Sequence, residues 1–108
     1  MDDNGPLMRK LATYKAGHVI TQIPKAEVMP LLEFYQTTQI DLDELFAQDE
    51  QKAIRLYALS GIIASMTEEG IDQFTKALSQ KRILGIQLRK AGPNAYEAGF
   101  VARNVRLN

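Results

Sequence analysis

The sequence predicts an α+β fold: a helix-rich single domain with a small antiparallel sheet of about three strands, built from one N-terminal strand and a C-terminal β-hairpin. Three observations predict it. A run dense in β-branched residues stands at His18–Ile23, apolar residues recur at helical spacing between Val28 and Leu78, and the apolar period shortens to two from Leu84 onward. The 108 residues suffice for one domain, and at 45% hydrophobic and 24% charged the chain can bury roughly two-thirds of its unfolded surface without metal or disulfide support.

Residues 1–5 are expected to be flexible. Pro6–Ala16 reads as the first helix, with proline just inside its start, Gly17 just past its end, Lys15 in its last turn, and Met8, Leu11, Ala12 and Lys15 on a shared face. His18–Ile23 reads as a strand ended by Pro24. Val28, Leu31, Leu32 and Tyr35 then form an apolar stripe on a helix whose regular part is expected from Pro30, with Lys25–Met29 as a separate turn, because proline inside a helix removes a backbone donor. Asp41-Leu42-Asp43-Glu44 has the form of a capping box and opens a short helix that carries Leu45 and Phe46 and closes near Gln48.

A longer helix is expected over Asp49–Met66. Past Arg55 it is apolar or small on every side, which predicts burial all round. Its small residues Ala58, Ser60, Gly61, Ala64 and Ser65 let another helix approach closely, from the same chain or from a second copy. Thr67 caps a last helix that ends near Gln80; Glu68 and Glu69 suit its dipole, and Ile71, Phe74 and Leu78 share one face. In the hairpin, Leu84, Ile86 and Leu88 alternate with Gly85, Gln87 and Arg89, Ala91-Gly92-Pro93-Asn94 is turn chemistry, and Tyr96, Ala98, Phe100 and Ala102 alternate again. A short echo, Tyr14–Val19 against Tyr96–Val101, agrees at four of six positions but has no flanking similarity and is not read as a repeat.

Several functions are excluded or disfavoured. With no cysteine there is no disulfide framework, thiolate zinc site or cysteine nucleophile. The acidic start, Met1-Asp2-Asp3-Asn4, does not resemble an export signal, so a cytoplasmic location is expected. The uncharged run Leu56–Met66 is far shorter than the ~20 residues a membrane span needs, so no membrane partner is expected. His18 is the single histidine and has no partner motif around it, and neither Ser60 nor Ser65 sits in a G-x-S-x-G elbow. A hydrolase or lyase centred on His18 would need a pocket the sequence does not reveal, and no enzymatic activity is expected. Asp41, Asp43, Glu44, Asp49 and Glu50 lack the ligand alternation of a calcium loop, and Gly85, Gly92 and Gly99 do not form a nucleotide fingerprint, so neither metal nor cofactor is expected. A helix-turn-helix over residues 49–80 is disfavoured by Glu68, Glu69 and Asp72, which would face phosphates.

Charge is balanced in total, 13 basic against 13 acidic side chains, but unevenly placed. Residues 25–80 carry four basic and ten acidic side chains, while residues 81–108 carry six basic ones against Glu97 alone. The basic hairpin is therefore the leading binding candidate. Arg89 and Lys90 flank its turn, Arg103 and Arg106 lie on the returning strand, and Tyr96 and Phe100 offer aromatic faces nearby, so the ribbon could meet a phosphate backbone and stack on unpaired bases. The competing explanation is structural: charges on an edge strand guard against aggregation, and Tyr96 and Phe100 alternate as core residues do. The expectation is a small non-enzymatic binding or regulatory protein associated with nucleic acid through Arg89, Lys90, Tyr96, Arg103 and Arg106. Its alternative is an adaptor or inhibitor that docks on a larger protein through its acidic helices or its exposed hairpin edge. A homodimer is expected from the apolar helix at Leu56–Met66, which one small domain does not fully cover.

Overall fold

The computed structural model describes residues 5–80 and 83–102. Among these lie five helices and three strands in the order α1 (Pro6–Ala12), β1 (Val19–Pro24), α2 (Lys25–Thr37), α3 (Leu42–Gln48), α4 (Glu50–Ile63), α5 (Glu68–Ser79), β2 (Ile83–Gly92) and β3 (Ala95–Ala102). The fold is α+β, with helices over one face of a three-stranded antiparallel sheet. No helix among the described residues is long and apolar enough to cross a membrane. Of residues 1–5 only Gly5 is described, and it is the N-cap of α1.

Helix α1 stops four residues short of the expected Ala16. The Thr13 hydroxyl donates to the Lys10 carbonyl at 2.7 Å and the Thr13 N–H closes on the same oxygen, so a local side-chain bond ends the helix. Gly17, with φ of 91°, then makes the left-handed turn into β1 that a residue with a Cβ resists. Leu7 and Leu11 are the buried pair of α1. The N-terminus of α1 is capped from across the fold, since the Leu7 N–H donates to Asp43 Oδ1 of α3 at 3.1 Å. The echo at Tyr14–Val19 is therefore turn and strand entry, whereas Tyr96–Val101 is strand throughout.

Helix α2 begins at Lys25 and runs unbroken with Pro30 inside it, correcting the expected start at Pro30. Proline forfeits one bond, to the carbonyl of Ala26, an exposed residue in the first turn of the helix. Two caps sit where the sequence placed them: Asp41 accepts from the Asp43 and Glu44 amides and Thr67 from Gly70 N–H; a third, Asp49 accepting from Lys52 N–H, was not anticipated.

In the sheet the order is β1-β2-β3, so β2 is the central strand. Thr21 pairs with Leu88 and Leu88 with Ala98; Ile23 pairs with Ile86 and Ile86 with Phe100. These rows face the helices. Ile23, Ile54, Leu56, Leu59, Ile86 and Leu88 are each no more than 1% exposed and form the centre of the core. β1 comes so close to β2 at Gly85 that an added Cβ would lie 2.2 Å from the Ile23 carbonyl oxygen. A bulge between Ile83 and Gly85 turns Ile83 inward and leaves Leu84 exposed, so Leu84 departs from the expected inward set of Leu84, Ile86 and Leu88.

Helix α4 packs against all three strands but ends at Ile63 and is not buried all round. Gly61, Ala64 and Ser65 are exposed, and Tyr57 and Ser60 are half-buried. Their stripe looks along the flank beside β3, past the last strand of the sheet, where nothing among the described residues covers it fully.

Candidate functional site

Strand alternation divides the basic cluster that the sequence suggested. Adjacent residues of β2 point to opposite faces. Arg89 therefore lies exposed on the open face of the sheet, with Glu97 as its cross-strand neighbour, while Lys90 turns to the helical face and is 3% exposed. The Lys90 ammonium sits 3.4 Å from the Ala12 carbonyl, at the end of α1, and 5.0 Å from the centre of the Tyr96 ring. Its backbone is equally engaged: Lys90 N–H donates to the His18 carbonyl at 2.8 Å and Gly17 N–H donates to the Lys90 carbonyl at 2.7 Å. Lys90 fastens α1 and the entry of β1 to the hairpin. Tyr96 shares its face, half-buried and meeting Tyr57 edge-on at 6.4 Å. Arg103 and Arg106 lie outside the described residues.

Arg89 is thus separated from both aromatic side chains of the hairpin, because Tyr96 and Phe100 belong to the rows that face the helices. Its own face carries Gln22, Gln87, Glu97 and Gly99, without an aromatic ring among them. Nor do Arg89 and Lys90 guard an edge, since both are on the central strand. His18 is exposed beside β1. Among the described residues no three His, Asp or Glu side chains converge in a way that could hold a metal ion.

The hairpin edge that the sequence offered as an alternative docking surface is the outer flank of β3; the cleft beside it is what sequence reasoning missed. This strand is eight residues long, AYEAGFVA, and Glu97 is its only charge. The other outer strand, β1, is shorter, bulged between Val19 and Thr21, and ended by a proline, three features that blunt an edge. β3 has no proline, and the two register breaks it shares with β2, between Ile83 and Gly85 and between Lys90 and Gly92, lie at the two ends of the pairing with the extra residue on β2. The bonds of Lys90 to Gly17 and His18 show which residues of β2 face β1. Alternation then turns Arg89, Gln87 and Gly85 toward β3, and leaves the backbone groups of Tyr96, Ala98 and Phe100 directed outward.

Beside that edge, on the helical face, is a cleft of about 280 Å³ lined by Tyr57, Ser60, Gly61, Ala64, Tyr96 and Ala98. Its floor is small residues because α4 and β3 nearly touch: a Cβ on Gly61 would meet the Ala98 Cβ at 3.4 Å. Two residues along, Phe100 lies stacked on Phe74 at 5.3 Å and is still 47% exposed. Burial raises the Tyr57 hydroxyl above its usual value, and the neighbouring Tyr96 adds to the shift. Among the described residues, a strand edge without a partner strand, an apolar cleft and an exposed ring therefore lie side by side. Compared with protein families, with curated proteins and with solved structures, the chain matches none.

Proposed function

We propose that the protein is a small non-enzymatic binding protein that docks on a partner protein by accepting an extended segment along the open edge of β3. The observation that carries this reading is the bare edge, with outward backbone groups at Tyr96, Ala98 and Phe100 beside an apolar cleft. In strand addition, main-chain hydrogen bonds supply affinity and alternate side chains supply specificity, and the cleft over Ala98 and the ring of Phe100 are suited to select such side chains. Association with nucleic acid is less well supported, because Arg89, Lys90 and Tyr96 do not share a face and Lys90 is spent on packing.

Peptides selected from a random-sequence phage library on the immobilised protein provide the test. Bound peptides are expected to slow amide hydrogen exchange at Ala98 and Phe100. Protection confined to other elements would refute strand addition at β3. Fluorescence anisotropy with labelled single- and double-stranded DNA and RNA tests the other reading: affinity that falls steeply with salt and is lost in Arg89→Ala would replace docking with phosphate contact.

A further inference from the structure

Resting on the reading of β3 as an open docking edge, we propose that its resident occupant is a second copy of the chain, paired β3 to β3 in a two-fold dimer with Gly99 on the axis. A two-fold interface must be self-complementary, so one patch has to carry both a projection and its receptacle. This patch does. Phe100 projects from the helical face with 47% of its surface exposed, and the cleft over Ala98 opens on the same face two residues away. An antiparallel pairing centred on Gly99 sets each Phe100 opposite the Ala98 of the other copy, so each ring enters the other copy's cleft. The 280 Å³ of that cleft exceeds the ~150 Å³ closed cavity known to admit a benzene ring.

Backbone and charge agree with this register. Ala98 and Phe100 both direct their backbone groups outward, so they can form a hydrogen-bonded cross-strand pair, and Tyr96 falls opposite Ala102 in the same way. Glu97, the one charge on the strand, falls opposite Val101 of the other copy. Moving the centre to Ala98 would bring the two Glu97 carboxylates to diagonal positions, where like charges repel. With the axis perpendicular to the sheet, the helices of both copies stay on one face, and the exposed Gly61 of each α4 and the Ala64 that follows it lie beside the partner's ring. The result is one six-stranded sheet with no bare β3 edge. Self-pairing and capture of an extended peptide then compete for the same hydrogen-bonding groups.

Light scattering of the full chain over micromolar to hundreds of micromolar concentration tests this, with two variants at exposed or half-exposed positions. Wild type is expected to reach the dimer mass, while Phe100→Ser, which removes the projection, and Ala64→Glu, which blocks the receptacle, each weaken dimerisation about tenfold or more. Circular dichroism of both variants checks that the monomer remains folded, and isotope-filtered contacts between the Phe100 ring of one copy and the Ala98 methyl of the other are expected in the wild-type dimer. A wild type that stays monomeric throughout, or a dimer whose mass is indifferent to both variants, overturns the proposal. Peptide protection of Ala98 and Phe100 in a protein that stays monomeric would overturn self-pairing alone and leave the docking reading standing.

Discussion

Buried lysines are rare because the ammonium loses its water, and Lys90 at 3% exposure is compensated by the Ala12 carbonyl and the π face of Tyr96. Its four-carbon stem also fills space between α1 and the hairpin. Lys90→Ala is expected to cost about 2–4 kcal/mol in urea unfolding, the range for deleting a long buried side chain, and Lys90→Met, which keeps most of the volume, distinctly less. Tyr57 gives a pH dependence with a definite sign. Because burial, then Tyr96, raise its hydroxyl above 10.0, the folded chain holds the phenolic proton more tightly than the unfolded chain does. That contribution is complete below the unfolded value and is lost as pH climbs through it toward the folded one. Tyr57→Phe should flatten the alkaline limb of a stability-against-pH curve and leave the neutral region's slope unchanged. None of these contacts was legible in the sequence. Lys90 meets Ala12 across 78 positions and Asp43 caps Leu7 across 36, and nothing in local pattern foretells such a meeting.

Two glycines separate the demands of the sheet from those of the helix. At Gly85 the obstacle to a Cβ is the backbone of Ile23, 2.2 Å away, so Gly85→Ala must push β1 from β2 and is expected to lower stability by about 3 kcal/mol or more. At Gly61 the nearest atom is the Ala98 Cβ at 3.4 Å, and Gly61→Ala is expected to raise the stability of the monomer by up to ~1 kcal/mol through helix propensity. Thermal unfolding of the pair reads both signs at once. The elements themselves were largely legible: the caps at Asp41 and Thr67, the stripe of α2 and the alternation of β3 all rest on neighbours within a few residues. Where sequence reading failed, a competing interaction won. Thr13 cut α1 short, exposed Ala26 let α2 absorb Pro30, and a bulge reversed Leu84.

For the molecule as a whole, the α+β class was readable from changes of period, but strand order was not, and the site depended on it. Arg89 and Lys90 looked like one basic cluster at a hairpin turn. Once β1 joins the far side of β2, the hairpin's first strand becomes central, its alternate residues part company, and among the described residues β3 is the outer strand with no bulge or proline of its own. The helices depend on the same arrangement, since Ile83, Ile86 and Leu88 complete the core that α2, α4 and α5 begin. A chain ending at Gln80 is expected to keep helical circular dichroism while losing cooperative unfolding and binding the dye ANS, the behaviour of a collapsed state without fixed packing. The position of β2 matters further during synthesis. Gln22 of β1 meets Gln87 of β2 only after 65 intervening steps along the chain, so an emerging polypeptide has made every helix before the strand that seals them leaves the ribosome. Until then the helices lack Ile83, Ile86 and Leu88 of their shared core, and the interval between making α5 and completing the hairpin is when this chain is expected to gain most from a chaperone.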